Sequence, residues 1–428
     1  MLRAHQRKLC FRVLSTTLLM TFLAPHGAAQ TASSTLTTLY SFLGPPNDGG
    51  YPVAGLLAYQ DGTLYGTTGQ GGPSGDGTVY ELTPPASPVG SWTETVIHSF
   101  AGPDGSLVFA GVAGSNGRLY GATVHGGSFG KGTIFELAPP ATAGGAWTEA
   151  VIHNFTGKAD GDQPSGTLIV GKNGALYGTA FRGGGLDFGT VFELTPPATA
   201  GRSWTLTALY TFTNTGDGAF PTASLTMSAN GALYGLASGT VFELTPPTAA
   251  ASPWAESTIA TNLVSAPQAG LALGAGGVLY GSTLIGGEND KGSLFELTPP
   301  ATPGGVWTQA EIYSFRQGPH AGGFNPYATL LIGKSGQIYG ITNAGGVSGL
   351  GTIFELLPPA SPDQPWTEKV LQNFTSADGG QPQGWLIERN GALYGTAYLG
   401  GGSGQGTVFK LAFSSFGAPI GNARHGTF

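Results

Sequence analysis

The sequence predicts an all-β protein, a seven-bladed β-propeller of four-stranded blades whose N-terminal strand completes the last blade. Three observations predict it. A [LI]-Tyr-Gly anchor recurs at Tyr65, Tyr120, Tyr177, Tyr234, Tyr280, Tyr339 and Tyr394, spaced by 55, 57, 57, 46, 59 and 55 residues. A second motif follows every anchor, from VYELTPP at 79–85 to VFKL at 408–411. A third motif ends in an aromatic or a Leu, as in TVIHSF (95–100), and has a Trp a few residues upstream in all but its first copy. Self-similarity at periods of this length marks repeat architectures, and four short strands per unit around a central channel make a propeller.

Each unit reads as four strands in order. An apolar run comes first: AGLLAY (54–59), SLVFAG (106–111), GTLIVG (166–171), ASLTMS (223–228), GLALGA (270–275), TLLIGK (329–334) and GWLIER (384–389). The anchor strand is second, the Phe-Glu-Leu strand third, and the strand from Trp to the closing Phe fourth. Aliphatic and aromatic residues dominate each run and turn residues bound it; no helical period is sustained. The joint between the first two strands is short and often Asn-Gly or Asp-Gly, a hairpin signal because that turn needs positive φ at both centres. The octet NGALYGTA therefore recurs letter for letter at 173–180 and 390–397 as a turn and the strand it launches.

Phase separates a closed ring from an open solenoid, the alternative. The chain begins with a lone fourth strand, TTLYSF (37–42), and ends with a unit, 382–411, that lacks one. The two defects complement each other, whereas a solenoid needs distinct capping repeats. The propeller is therefore expected over 30–411, with a tail at 412–428.

Residues 1–29 carry Arg3, Arg7, Lys8 and Arg12, an apolar run from Val13 to Ala24 and then Gly27-Ala28-Ala29. That order reads as a secretory signal peptide cleaved after Ala29. The alternative, a membrane anchor, needs about 20 apolar residues, more than the run supplies. Cys10, the sole cysteine, leaves with the leader, so the mature chain has no disulfide or thiol chemistry. It keeps 13 of the 17 Lys and Arg against 24 Asp and Glu, a net charge of −11. Such a surface disfavours nucleic acid and anionic membrane.

The unit GxLYGTTxxGGxxGxGTVFELTPP resembles the GloVer (Gloeo/Verruco) tandem repeat of secreted bacterial proteins. The likeness covers nearly all of the mature chain. It implies export and a propeller-like fold but no reaction. Members often end in a C-terminal sorting anchor of variable type; the tail AFSSFGAPIGNARHGTF has neither an apolar helix nor a basic cluster. Free secretion is therefore expected.

Strand alternation puts the Asn-Gly turns and Pro-Pro loops on one face. The Gly-Gly loops, such as GQGGPSGDG (69–77), and the inter-blade loops lie on the other, the face expected to carry function. Asp48, Asp104, Asp160, Asp217 and Asp378 recur before Gly in the inter-blade loops. They read as turn residues, with a ring of carboxylates for Ca²⁺ or sugar hydroxyls as the competing reading. Glu81, Glu136, Glu193, Glu243, Glu296 and Glu355 hold one strand position, with Lys410 in the seventh blade. One carboxylate per blade suits a structural hydrogen bond better than the facing pair of a glycosidase. His98 and His153 replace a fourth-strand Tyr, and His125 and His320 lie in separate loops. No metal-ligand spacing or nucleophile motif is present. The inner strands are small or apolar, and no polar cluster converges at the channel mouth, which argues against an enzyme.

Two loops break the repeat. Blade four shortens its Gly-Gly loop to LASG (236–239), which should leave a notch in the rim. Nearby, GGENDKG (286–292) carries Glu288 and Asp290, and RQGPHAGGFNPY (316–327) carries His320, Phe324 and Tyr327. These five form the candidate binding site, with Phe181 of blade three as the aromatic expected to matter less. The functional expectation is a secreted, non-catalytic, monomeric binding module for extracellular glycan or protein, without cofactor or metal. An extracellular polysaccharide or ester hydrolase or lyase, and a structural cell-envelope protein, are the alternatives.

Overall fold

The computed structural model describes residues 34–87, 90–142, 144–199, 201–249, 252–261, 263, 269–302, 304–317, 322–361 and 363–413. The chain forms seven antiparallel blades. Blade one runs from an inner strand at Leu57–Ala58 through Leu64–Thr68 and Thr78–Thr83 to an outer strand at Thr93–Ser99. The other blades repeat this order. Blade seven is closed by the N-terminal strand Ser34–Ser41, which pairs antiparallel with Thr407–Phe413 from Ser34 opposite Phe413 to Ser41 opposite Thr407. The complementary defects at the two ends of the sequence meet as expected.

One packing unit repeats in every blade. The third-strand aromatic lies across the glycine of the neighbouring anchor strand. A β-carbon placed on Gly178 would come within 2.6 Å of Phe192 Cζ and 2.8 Å of Leu168. The same ring meets the closing Phe of the preceding blade at a steep angle: Phe155 and Phe192 lie 5.3 Å apart, Phe100 and Phe135 5.0 Å, Phe374 and Phe409 5.2 Å. Blade four closes with Leu263, which packs in one cluster with Phe295. The Trp that leads each outer strand makes a second clasp. Trp147 of blade two lies 5.7 Å from the blade-one anchor Tyr65, and Trp204 5.7 Å from Tyr120. In blade seven Phe413 takes the place of that Trp, 6.4 Å from Tyr339.

The repeated glutamates are structural. The anchor hydroxyls of Tyr65, Tyr177, Tyr234 and Tyr339 donate to Glu81, Glu193, Glu243 and Glu355 at 2.9–3.2 Å. Burial, then the adjacent carboxylate, pushes the Tyr177 phenol up to about 12. In blade seven the Lys410 ammonium sits 5.7 Å over the Tyr394 ring instead. The Asp-Gly residues are loop caps: Asp48, Asp104, Asp160, Asp217 and Asp378 accept the N–H of Leu43, Ala101, Thr156, Thr213 and Thr375.

Two sequence expectations are corrected. Positive φ at both turn centres holds for Asn116-Gly117, Asn173-Gly174 and Asn390-Gly391, but at Asp61-Gly62 and Asn230-Gly231 only the Gly is left-handed. There the Asp61 and Asn230 side chains accept the N–H of Thr63 and Ala232, which holds the turn in a different form. In blade two the inner strand is Ala113–Ser115, not the run 106–111. Ser106 bridges His125 and Leu107 is left-handed, so that run belongs to the blade's entry loop.

The blade junctions also hold carboxyls that burial makes slower to ionise. Tyr40 donates to Asp48 at 2.9 Å, and His98 pairs with Asp104 at 3.0 Å. Against each pair stands a glutamate from the next outer strand, Glu94 or Glu149, with Oε1 buried and lacking a hydrogen-bond partner. Burial, then the facing Asp, pushes Glu94 up to about 8 and Glu149 to about 7.

Four outcomes follow from this architecture. Phe192→Ala should cost about 3–5 kcal/mol in urea unfolding. Gly178→Ala should also destabilise, because the ring it displaces has no free space to enter. Deleting 34–42 exposes a sheet edge and opens the ring, so it should lower the melting temperature far more than deleting 414–428; equal losses would speak against closure. Glu94 and Glu149 bind a proton more tightly when folded than their ordinary 4.5. The stability they contribute is full below pH 4.5 and is lost as pH rises through 7 to 8. Melting temperature should therefore fall across that window, and Glu94→Gln with Glu149→Gln should flatten the fall.

Candidate axial site

The face of the Gly-Gly loops holds a cavity of about 530 Å³ on the propeller axis. Its position follows from how each blade begins. A left-handed residue ends the inter-blade loop: Tyr51, Leu107, Gln163, Phe220, Asn325 and Gln381, with φ of 49–59°. Each donates its N–H to a carbonyl in the Gly-Gly loop of the preceding blade, as Gln163 does to Lys131 at 3.0 Å and Asn325 to Lys291 at 2.9 Å. This strained conformation turns the chain inward, and the next residues run down the cavity wall before the short inner strand begins.

Two wall positions recur around the ring. The upper one holds Val53, Phe109, Ser165, Thr222, Tyr327 and Gln383. The lower one reads Gly55, Gly111, Thr167, Ser224, Gly270, Thr329 and Trp385. Trp385 breaks the repeat. Its indole lies against Gly55 and reaches Gly111, where an added β-carbon would stand 2.5 Å from Cη2. The three hydroxyls of that lower position are fixed by neighbouring blades. Thr167 Oγ1 accepts from Gly111 N–H, Ser224 Oγ from Thr167 N–H and Thr329 Oγ1 from Gly270 N–H, each at 2.9 Å. Phe181 and Tyr398, at the ends of anchor strands, complete the aromatic lining. They stack in the rim, Phe181 5.2 Å from Phe220 and Tyr398 5.0 Å from Tyr51. Phe109, 46% exposed, stands at the mouth.

Among the described residues the lining contains no Asp, Glu, His, Lys, Arg or Cys. Burial, then the neighbouring Tyr398, raises the Tyr327 phenol above its usual range, so it stays a neutral hydrogen-bond donor. The site is thus lined by aromatic rings, by hydroxyl and amide groups, and by small apolar residues.

The residues singled out in the sequence do not converge here as a set. Tyr327 lines the cavity. Phe324 packs into the blade-five and blade-six core with the Lys291 ammonium 5.3 Å over its ring. Asp290 is left-handed and accepts the Gly286 N–H at 3.0 Å, the turn-closing role Asp187 has in blade three. Glu288 is exposed, with its N–H bonded to Ser314. His320 lies outside the described residues. In blade four Ser238-Gly239 is a tight turn in place of the long loop. Phe181, set aside in the sequence reading, lines the cavity. The uncharged polar groups at the channel mouth were missed because each is a single Ser, Thr or Gln inside an apolar run. The signal appears only once the strand register is known, because blades two and seven have a turn one residue shorter: two residues before the inner-strand partner of each anchor Tyr, the column reads Gly, Gly, Thr, Ser, Gly, Thr, Trp.

Of possible metal ligands, His98, Asp104 and Glu149 have donor atoms within 4.8 Å of one another. The same junction in the adjoining blade has Tyr40, Asp48 and Glu94. The cluster is a variant of the inter-blade link, and it lies apart from the cavity lining. No helix among the described residues is long and apolar enough to cross a membrane.

No curated protein matches the chain significantly. Solved structures with similar folds include a proposed 6-phosphogluconolactonase from Bacteroides uniformis, at 15% identity over 80% of this chain and 97% of that one, with a TM-score of 0.50. A second, from Bacteroides fragilis, is 16% identical over 80% and 94%, with a TM-score of 0.49. The PQQ-bound aldose sugar dehydrogenase of Streptomyces coelicolor is 13% identical over 90% and 99%, with a TM-score of 0.46. At these identities the likeness is one of fold. The model of the Gloeobacter/Verrucomicrobia repeat matches residues 28–140, 86–239 and 236–418, so the chain belongs to that repeat family.

Proposed function

We propose that this protein is an exported, non-catalytic binding module whose ligand sits in the axial cavity. The observation that carries the reading is the lining: aromatic rings and neutral hydrogen-bonding groups around about 530 Å³, within the ~300–1,000 Å³ of small-molecule sites. Export rests on the leader-like order of residues 1–29.

Hydrolase or lyase chemistry needs a base or acid of suitable pKa within reach of the reacting atom. The polar groups of the described lining are hydroxyls, amides, an indole and the phenols of Tyr327 and Tyr398, the first of them raised by burial. The phosphogluconolactonase similarity lends little to an enzymatic reading, since a phosphorylated substrate calls for a cation and no Lys or Arg lines the cavity. The neutral, rigid aromatic wall is suited to holding a ligand unchanged.

The test is a thermal-shift screen of the mature chain against neutral oligosaccharides, short peptides and lactones. A ligand at 100 times its Kd adds about 2.7 kcal/mol of stability. At least one compound should raise the melting temperature, be recovered unaltered, and lose its effect in Phe109→Ala and Tyr327→Ala. Turnover of a bound compound, or shifts indifferent to both substitutions, would overturn the reading.

A further inference from the structure

We infer that the ligand is a neutral saccharide, held with one pyranose ring stacked on the Trp385 indole and its hydroxyls turned to Thr167, Ser224 and Thr329. This rests on the axial cavity being the binding site and names what it takes.

The lower wall of the cavity has two unlike halves. In a seven-fold ring, Trp385 of blade seven stands beside blades one and two, where the equivalent residues are Gly55 and Gly111. Both glycines are there because a β-carbon on either would run into the indole. One tryptophan thus covers the wall of three consecutive blades with a single flat ring, fixed in place by backbone on its far side. Blades three, four and six supply hydroxyls at the same level.

Those hydroxyls are oriented. Each oxygen already accepts a backbone N–H from a neighbouring blade. No acceptor is present among the described residues for the protons of Thr167 and Ser224. A hydroxyl fixed as acceptor toward the protein is left as donor toward the cavity. The site therefore presents an apolar plane on one side and donors on the other, without a charge between them.

A pyranose has the complementary division. One face is a sheet of C–H bonds that packs on an aromatic ring, and its rim is hydroxyl and ether oxygen that accepts hydrogen bonds. A rigid indole contributes contact area with little entropy to lose. An acidic sugar would lose its solvation with no cation to replace it. Tyr327 and Phe109 at the upper wall extend the aromatic surface toward the mouth, so further units of the chain lead outward past them.

The experiment is calorimetric titration of the mature protein with cellohexaose, xylohexaose, laminarihexaose and maltohexaose, and with hexagalacturonic acid as the charged comparison. At least one neutral hexasaccharide should bind and the acidic one should not. Trp385→Ala should weaken binding tenfold or more, Trp385→Phe less, and Ser224→Ala a few-fold. Gly55→Ala approaches from the opposite side: it should displace the indole and weaken binding while Trp385 remains. Circular dichroism and melting of each variant separate lost affinity from lost fold. Should Trp385→Ala fail to fold, Gly55→Ala and Ser224→Ala decide. Neutral binding indifferent to Trp385 or Gly55, or preference for the acidic chain, overturns the inference. If the thermal-shift screen finds ligands sensitive to Phe109→Ala and none is a saccharide, this inference fails and the binding reading stands. If no ligand responds to Phe109→Ala, both fail.

Discussion

Everything in this ring depends on a phenyl group lying on a glycine. In each blade the third-strand aromatic covers the glycine of the anchor strand; in six of the seven it meets the closing Phe of the blade before, and in blade five Leu263 takes that place. One side chain therefore fixes strand pairing within a blade and the distance between blades. The rings are fully buried, with Phe135, Phe192, Phe242, Phe354 and Phe409 among the largest enclosed groups. Close-packed interiors tolerate little change of volume, so the glycine and the aromatic must be retained together, blade after blade. A fold held this way needs few charges, which is why only 10% of the residues are charged. The Trp clasp on the anchor Tyr, the Glu beneath that Tyr and the capping Asp all act on a spacing the phenyl rings have already set.

That dependence also explains what could be read from the sequence. The blades, their order and the closure by residues 36–42 were legible because each rests on residues that recur from blade to blade: the anchor glycine such as Gly178 in all seven, an aromatic at the position of Phe192 in all seven, and Asn-Gly as at Asn173-Gly174 in four. The repeated Glu and Asp were read as structural for the same reason, and their bonds to Tyr177 and to Thr156 agree. The candidate site was harder. It was sought where loops differ in length, which selected Asp290 and Phe324. Loop length does not say which way a side chain faces: Asp290 closes its own turn and Phe324 packs half-buried against the core. Tyr327 lines the cavity because it occupies a wall position shared with Phe109 and Ser165, and that column lies in irregular chain between a left-handed residue and a two-residue strand. No periodicity of two or of 3.6 marks such a segment.

The difference between scaffold and site is thus one of symmetry. Positions that hold the ring together vary little among blades. The wall column varies from Gly to Trp, and its variation is ordered around the ring: two glycines follow the one tryptophan, and hydroxyls gather in blades three, four and six. Random drift would place a bulky ring beside side chains of intermediate size as often as beside glycines. The pairing of Trp385 with Gly55 and Gly111 is a steric correlation across three blades, of the kind a core position shows, yet it sits at an open cavity.

An open cavity needs no such precision for stability, since water could fill it. Packing a large indole against bare backbone there, and leaving it partly accessible, gives up some of the burial a Trp can gain in a core. What it provides is a flat apolar surface that cannot turn aside when a ligand arrives. Pre-organised surfaces lose less entropy on binding, and a rigid ring of seven blades is well made to hold one. The strained entry residues serve the same end. Each left-handed residue is tied by its N–H to the loop of the preceding blade, so the wall positions that follow are held by two blades at once. The cavity is then a property of the whole ring, and Trp385 is where its wall departs furthest from what closing the ring requires.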